Sequence, residues 1–153
     1  MQKICTVLLV ENDEDDARLA QLAFERAKLH HRLVTVADAA EAMDYLTGKG
    51  GYGERDKYPI PHLILLDLAM PGVSGLEFLG QLRREASLQH IPVTILSGSN
   101  YSPDLEKAYE LGAKSFLEKA SDLGKFGAAI KRVVECMIGG TGNPASHTHR
   151  SFT

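Results

Sequence analysis

The sequence contains no tryptophan and only two cysteines, Cys5 and Cys136. Both cysteines occur in apolar segments far apart in the chain, where a buried free thiol is more common than a disulfide. We therefore do not expect a disulfide-stabilised secreted domain. A reducing, cytoplasmic environment fits this composition best.

Long hydrophobic runs are also absent. No apolar stretch approaches the roughly 18 residues that a membrane-spanning helix needs. The first residues also lack the charged and then apolar pattern of a signal peptide. The sequence therefore predicts neither membrane insertion nor export.

An excess of basic residues is missing as well. The chain has 17 Lys and Arg against 20 Asp and Glu, for a net charge of −3, and its cations are scattered. Such a surface supplies no positive field for a polyanion, so nucleic acid is not an expected partner. The composition is that of a globular protein, with 44% hydrophobic and 24% charged residues in a 153-residue chain long enough to bury a core.

Short apolar runs alternate with amphipathic helical segments along the chain. Strands are predicted at 6–10, 33–37, 62–66, 91–96 and 115–117. A helix is predicted after each strand, and parallel neighbours in a sheet require such crossover connections. The sequence therefore predicts an α/β fold, a doubly wound five-stranded parallel sheet with helices on both faces.

Polar residues predict where the helices begin. The predicted N-cap residues are Asn12 or Asp13, Ser74, Ser102 and Ser121. Ser74 is followed by Glu77 at the spacing of a capping box. Gly112 is well placed to end the fourth helix.

Two segments lie outside this regular alternation. Residues 48–61 form a polar, glycine-containing stretch that predicts a loop. Residues 139–153 are rich in Gly, Ser, Thr, Asn and His, a composition that predicts a polar C-terminal tail. We therefore expect one domain over residues 1–138, followed by this tail.

Polar residues follow the ends of four predicted strands. They are Glu11, Asn12 and Asp13 after the first strand, Asp67 after the third, Ser97 after the fourth, and Glu118 and Lys119 after the fifth. Because open parallel sheets bind ligands at the carboxyl ends of their strands, we expect these side chains to meet. Carboxylate and carbonyl oxygens suit Mg²⁺. Asp67 could be both a metal ligand and the nucleophile that forms an aspartyl phosphate, with Ser97 and Lys119 neutralising the phosphoryl oxygens.

Most of these residues have a simpler interpretation when taken alone. Glu14, Asp15 and Asp16 fit the first turn of a helix, where the helix dipole favours negative charge, and we prefer that structural interpretation. A serine in the position of Ser97 is often a turn hydroxyl, and a lone lysine such as Lys119 is often a solvated cation. Only the combination favours a functional site.

Four sequence blocks occur in an order typical of one family. They are Val-Glu-Asn-Asp at 10–13, Leu-Leu-Asp-Leu-Ala-Met-Pro-Gly-Val-Ser-Gly-Leu-Glu at 65–77, Ile-Pro-Val-Thr-Ile-Leu-Ser at 91–97 and Phe-Leu-Glu-Lys at 116–119. Together they resemble the receiver domains of two-component response regulators, whose flavodoxin-like sheet has the strand order 2-1-3-4-5. The resemblance covers residues 6–137, and ordered blocks are stronger evidence than any single motif.

The resemblance implies a role for each site residue. Asp67 would be the phosphoacceptor, with Ser97 and Lys119 holding the phosphoryl group. Phe116 would be the aromatic switch residue, whose ring turns inward when the hydroxyl residue moves toward the phosphate. The Mg²⁺ ligands would be Glu11, Asn12, Asp67 and the backbone carbonyl of Ala69.

The resemblance also implies partners. A histidine kinase would donate the phosphoryl group, and the protein would catalyse only its own phosphorylation and dephosphorylation, unlike an enzyme with a separate substrate. With no output domain after the receiver, a stand-alone regulator would act on an unknown downstream protein by phosphorylation-dependent contact. In the family, the face that corresponds to residues 102–137 often forms homodimers. The long loop at 48–61 resembles regulators paired with phytochrome-type histidine kinases.

Two residues depart from the family pattern. Asn12 replaces a carboxylate, so weaker Mg²⁺ binding is expected. Ala120 stands where the family has a proline, often across a cis bond; before a non-proline residue that bond costs about 3 kcal/mol, so either the strain is held by its surroundings or the bond is trans. Neither Ala69 nor Ser99 is an obvious general base, which predicts slow self-dephosphorylation.

Three other functions compete with this interpretation. A flavodoxin-like electron carrier would share the topology, but Glu11 and Asp13 would repel a flavin phosphate. A hydrolase with an aspartyl-phosphate intermediate needs an acid two residues after its nucleophile, where this chain has Ala69. A degenerate receiver that binds partners without phosphorylation is supported by Asn12 and Ala120.

Overall fold

The computed structural model describes residues 4–70, 72–98 and 103–138. Its strands are β1 (Thr6–Val10), β2 (Arg32–Val36), β3 (Leu63–Asp67), β4 (Val93–Ser97) and β5 (Ser115–Glu118). Its helices are α1 (Glu14–Arg26), α2 (Ala39–Thr47), α3 (Gly75–Arg84), α4 (Pro103–Glu110) and α5 (Leu123–Met137). The strands are parallel and lie in the order β2-β1-β3-β4-β5. The predicted fold class and strand order are therefore confirmed.

The sheet separates two apolar cores. Every residue of β1 and β3 is buried, because helices cover both faces of the sheet and successive side chains point to opposite faces. On one face, Leu66 belongs to a core with Tyr45 of α2 and Phe78 of α3. On the other face, Phe24 of α1 and Phe126 of α5 share a second core. The sheet thus packs against an apolar core on each face.

Polar residues at the carboxyl edge belong to the strands themselves. Asp67 and Ser97 are the last residues of β3 and β4, and not the first residues after them as predicted. The parallel ladder continues through both, since Asp67 pairs with Leu96 and Ser97 pairs with Glu118. Backbone pairing, and not side-chain polarity, sets where these strands end.

The starts of α1 and α3 follow the sequence prediction. Asp13 is the N-cap of α1, and its Oδ1 accepts a hydrogen bond from the Asp16 N–H at 2.9 Å. At α3 the Glu77 N–H donates to Ser74 Oγ at 3.2 Å, and the Ser74 N–H donates to Glu77 Oε1 at 3.0 Å. This reciprocal pair confirms the predicted capping box.

The prediction of Ser121 as the N-cap of α5 was wrong. The cap is Asp122, whose Oδ1 accepts a hydrogen bond from the Lys125 N–H at 3.0 Å. A carboxylate caps a helix start well, because it accepts the free N–H groups and its charge is favoured by the helix dipole. The end of α4 agrees with the prediction, since Gly112 has a φ of +100° just beyond the helix.

The loop at 48–61 packs beside α2 and contains a short 3₁₀ helix at Gly50–Tyr52. The rings of Tyr45 and Tyr52 lie 5.1 Å apart between centroids. Arg55 Nη1 donates hydrogen bonds to the carbonyl of Tyr45 at 2.8 Å and that of Tyr52 at 3.0 Å. The guanidinium therefore adds a second hydrogen bond to a carbonyl in the last turn of α2 that also accepts from the Gly48 N–H at 3.3 Å.

Some sequence predictions concern residues outside the described ranges. They are Ser99, the N-cap Ser102 and the tail at 139–153. Within the described ranges, no helix is long and apolar enough to cross a membrane.

Gly75, the first residue of α3, packs against the backbone that follows β3. A Cβ atom there would lie 2.7 Å from the Cα of Leu68 and 2.9 Å from the carbonyl oxygen of Asp67. Because backbone atoms cannot move aside as a flexible side chain can, we expect Gly75→Ala to lower the free energy of unfolding by about 1–2 kcal/mol. Urea denaturation measures this change.

Gly80 in the same helix provides the control for that experiment. A Cβ atom at Gly80 would meet only Arg84 Nη1 at an ordinary distance of 3.6 Å. We expect Gly80→Ala to raise the free energy of unfolding by about 0.5–1 kcal/mol through helix propensity. A Gly75→Ala variant as stable as Gly80→Ala would contradict the close packing of α3 against the loop.

Candidate functional site

The carboxyl edge of the sheet brings the predicted polar residues together. Glu11 follows β1, Asp67 ends β3, Ser97 ends β4 and Lys119 follows β5. The Glu11 N–H donates to the carbonyl of Val36 at 3.0 Å, and the Lys119 N–H donates to the carbonyl of Ser97 at 2.7 Å. These bonds extend the parallel ladders, so the backbones of Glu11 and Lys119 are positioned like those of strand residues.

The ammonium group of Lys119 lies at the centre of this site. Its Nζ is 3.0 Å from Glu11 Oε1, 2.9 Å from Asp16 Oδ2 and 3.3 Å from Asp67 Oδ2. When all three carboxylates are ionised, three negative charges face one positive charge. The edge therefore carries an excess of negative charge in a small volume.

Burial makes this excess of charge costly. Glu11 is 2% exposed and Asp67 is 5% exposed. Burial, together with a hydrogen bond shared with Asp67, raises the pKa of Glu11 to about 7. Burial acts to lower the pKa of Lys119, but hydrogen bonds to Asp16 and Glu11 and the charge of Asp67 outweigh it, so that pKa is raised. The site thus stabilises the protonated form of Lys119 and destabilises the ionised form of Glu11.

The other predicted metal-site residues flank the cluster. The Ala69 N–H donates to Asp67 Oδ1 at 3.1 Å, which orients the carboxylate so that Oδ2 faces the ammonium. Asn12 is exposed. The next residue, Asp13, donates its N–H to Glu11 Oε2 at 3.3 Å. The structure therefore brings Glu11, Asp67 and the Ala69 backbone to one edge, with the Asn12 side chain at its surface.

Ser97 and Phe116 lie on the neighbouring strands β4 and β5. Phe116 is 8% exposed and belongs to the core beneath the site, where it pairs with Ile95 across the ladder. Ser97 is partly exposed at the end of β4. A hydroxyl group at the edge and an aromatic ring in the core therefore lie on adjacent, hydrogen-bonded strands.

The peptide bond between Lys119 and Ala120 is trans, as are the other peptide bonds in the described ranges. Of the two alternatives left open by the sequence, the trans bond is the one observed. Lys119 reaches the carboxylates without a proline after it.

Asp16 is the site residue that sequence reasoning missed. The helix-dipole interpretation placed it with Glu14 and Asp15, which are both exposed in the first turn of α1. Asp16 instead accepts a hydrogen bond from Lys119 Nζ, 103 residues away in sequence. A signal was available, because Asp16 follows the N-cap Asp13 by three residues and side chains tilt toward the helix N-terminus.

The donor set of the site fits a divalent cation. Two buried carboxylates, an amide side chain and a backbone carbonyl are hard oxygen ligands of the kind that Mg²⁺ takes. Three carboxylates, those of Glu11, Asp16 and Asp67, lie within 3.3 Å of the single ammonium of Lys119, so the site carries more negative charge than Lys119 neutralises when all three are ionised. No three His, Cys, Asp or Glu side chains are grouped as metal ligands in the described part of the chain. Mg²⁺ does not require such a group, since it is usually bound by one or two carboxylates and waters.

Comparison with known proteins agrees with this geometry. A model of the response regulator receiver domain matches residues 7–131. The chain belongs to this family. The receiver is 35% identical over 117 residues to response regulator Rcp1 of Synechocystis sp., covering 76% of this chain and 78% of Rcp1. The resemblance inferred from the four sequence blocks is thereby confirmed.

Solved structures of similar proteins have the same fold. The phosphorylated cyanobacterial phytochrome response regulator RcpA matches the receiver with a TM-score of 0.78 and 33% identity, over 92% of this chain and 98% of RcpA. RPA3017, a response regulator in red light signalling of R. palustris, matches with a TM-score of 0.83 and 28% identity, over 92% of this chain and 97% of its own. A Mn²⁺-bound form of Rcp1 matches with a TM-score of 0.72 and 31% identity, over 91% of this chain and 97% of Rcp1.

Proposed function

We propose that the receiver accepts a phosphoryl group on Asp67 from a histidine kinase and signals by phosphorylation-dependent contact with another protein. The observation that carries the proposal is the ion-pair cluster, in which Lys119 Nζ lies 3.3 Å from the buried Asp67 Oδ2. A carboxylate that already faces a cation is suited to attack a phosphoryl group, because the cation neutralises the oxygens that carry charge in the transition state. Membership of the receiver family supports the same role.

Phosphoryl transfer would form a bond between an Asp67 carboxylate oxygen and phosphorus while the bond from phosphorus to the donor histidine nitrogen breaks. The histidine nitrogen keeps the electron pair of the broken bond and takes up a proton. The Ala69 N–H holds the Asp67 carboxylate in place at 3.1 Å. Lys119 then neutralises the transferred group, and the Ser97 hydroxyl, at the end of the adjacent strand, donates to it.

Mg²⁺ is the cofactor that we propose for this site. Glu11, Asp67, the side-chain oxygen of Asn12 and the carbonyl of Ala69 would hold it. When bound, the cation supplies positive charge to the phosphoryl oxygens. Asn12 contributes an oxygen without a charge, so we expect binding to be weaker than in a receiver with a carboxylate there.

The signal would leave the site through β4 and β5. Ser97 moves toward the phosphoryl group in this proposal, and Phe116 on the neighbouring strand responds by repacking in the core that already contains it. The output face would be that of α4, β5 and α5, within residues 102–137, where Tyr109 is 39% exposed. We propose that this face forms a homodimer or binds the downstream protein.

A phytochrome-type histidine kinase is the donor that we propose, acting with the receiver in the cytoplasm. The support is similarity to RcpA, a cyanobacterial phytochrome response regulator, and to RPA3017 of red light signalling, each matched over 92% of the chain.

The experiment that tests the proposed function is phosphorylation of the purified receiver by acetyl phosphate and Mg²⁺, followed by intact-mass analysis. We expect the mass to increase by one phosphoryl group, the increase to disappear with excess EDTA, and peptide mapping to locate the group on Asp67. Asn12 and Ala120 favour the alternative function, a degenerate receiver that binds partners without phosphorylation. No mass gain at Asp67 would contradict the proposed function and favour that alternative.

A further inference from the structure

Asp16 is the one carboxylate of the cluster that has no place in the proposed metal site. Its Oδ2 accepts a hydrogen bond from Lys119 Nζ at 2.9 Å, the shortest of the three contacts that the ammonium makes with carboxylates. The other two partners, Glu11 and Asp67, are the proposed Mg²⁺ ligands. Asp16 is therefore the partner of Lys119 that is not shared with the cation.

The start of α1 leaves the Asp16 carboxylate free for this contact. An acidic residue three positions after an N-cap commonly bonds back to the N–H of the cap residue. Here the Asp13 N–H donates to Glu11 Oε2 at 3.3 Å instead. The backbone of Asp16 is fixed by its own N–H, which donates to Asp13 Oδ1 at 2.9 Å. A fixed backbone and an unused carboxylate direct Asp16 to Lys119.

We propose that Asp16 is a positioning residue that keeps Lys119 at the phosphoryl site when Glu11 and Asp67 bind the divalent cation. A lysine ammonium has three N–H donors. With one N–H held by Asp16, the two that remain can turn from Glu11 and Asp67 to the phosphoryl oxygens. The inference rests on the proposed function, because it assigns Asp16 a part in the phosphorylation of Asp67.

The test compares the phosphorylation rates of Asp16→Asn and Asp15→Asn with acetyl phosphate and Mg²⁺. Asp15 is an exposed carboxylate in the same helical turn, so both variants lose the same charge at the same helix end. We expect Asp16→Asn to react about fivefold more slowly than wild type, the size of effect given by a partly exposed charged contact. We expect Asp15→Asn to react at the wild-type rate and Asp16→Glu to recover part of the loss.

Two further measurements separate positioning from other roles. Calorimetric titration should give Asp16→Asn and Asp15→Asn the same Mg²⁺ dissociation constant, because Asp16 is not a ligand. In EDTA, Asp16→Asn should lower the urea midpoint relative to Asp15→Asn when Lys119 is present. The two variants should have the same midpoint in a Lys119→Met background, which removes the contact.

Each outcome decides between the proposals. If wild type is phosphorylated and Asp16→Asn reacts as fast as Asp15→Asn, the positioning role is wrong and the proposed function stands. Mg²⁺ binding that weakens in Asp16→Asn alone would make Asp16 a ligand and overturn the inference. A wild-type receiver that takes up no phosphoryl group would overturn the proposed function, and the positioning role with it.

Discussion

Asp67→Asn is expected to take up no phosphoryl group from acetyl phosphate and Mg²⁺, under conditions in which wild type is fully labelled. The amide of asparagine has the shape of the carboxylate but lacks its nucleophilic, negatively charged oxygen. The fold should survive, since Asp67 is the last residue of β3 and its backbone pairing does not depend on the side chain. Intact-mass analysis of both proteins after the same incubation measures the difference.

Asp44→Asn is the control for the Asp67 variant. Asp44 lies in α2 and is exposed, so its substitution removes one carboxylate without touching the charge cluster. We expect this variant to be labelled like wild type. A phosphoryl group found on Asp67→Asn in wild-type amount would show that another residue is the acceptor.

The stability of the receiver in EDTA is expected to depend on pH through Glu11. The pKa of Glu11 is raised from its ordinary value of 4.5 to about 7 by burial and by its hydrogen bond with Asp67. Below pH 4.5, Glu11 is protonated in both the folded and unfolded states. Between about pH 4.5 and about 7 the unfolded state loses the Glu11 proton while the folded state keeps it, so the free energy of unfolding falls, and the loss is complete once the folded state ionises above about 7. The free energy of unfolding falls by on the order of 3 kcal/mol in total, because each pH unit between the two pKa values of Glu11 contributes about 1.4 kcal/mol.

Glu11→Gln isolates this effect. Because glutamine cannot ionise, the free energy of unfolding of the variant relative to wild type should rise by about 3 kcal/mol between about pH 5 and about pH 8. Urea denaturation in EDTA at the two pH values measures it. Glu14→Gln removes an exposed carboxylate from the same part of the chain and should show no comparable rise. A constant difference between Glu11→Gln and wild type would contradict the buried, charge-crowded environment of Glu11.

The two predictions describe one property of the site. Among the residues that the structure describes, Lys119 is the cation that faces Glu11, Asp16 and Asp67. The charge of Asp67 that makes it a nucleophile therefore also makes a charge on Glu11 costly. A site of this kind gains from a bound cation, which is the physical reason to expect Mg²⁺ there.

The predictions that succeeded from sequence were those set by local pattern and chain order. Alternating apolar runs and helical segments predicted the parallel sheet, since crossover connections between parallel strands have a strong geometric preference. That sheet in turn predicted that Glu11, Asp67 and Lys119 would meet, because the carboxyl ends of parallel strands lie at one edge. The capping box at Ser74 was predicted because both of its partners lie within one helical turn.

The predictions that failed depended on contacts that local pattern does not contain. Serine and aspartate both cap helices well, so the local sequence allows either Ser121 or Asp122. The structure begins α5 at Leu123, which makes Asp122 the cap. Asp67 was placed one residue beyond its strand, because the end of β3 is set by pairing with β4 and not by its own polarity.

The sequence by itself determined the fold class, the family and the edge of the sheet at which the chemistry lies. Only the tertiary structure decided how the charges at that edge are balanced. Asp16 binds Lys119 across 103 residues of sequence, and the pKa of Glu11 is raised by burial. Both depend on distances between remote segments and on exclusion of water, which arise only when α1, β1, β3 and β5 pack together.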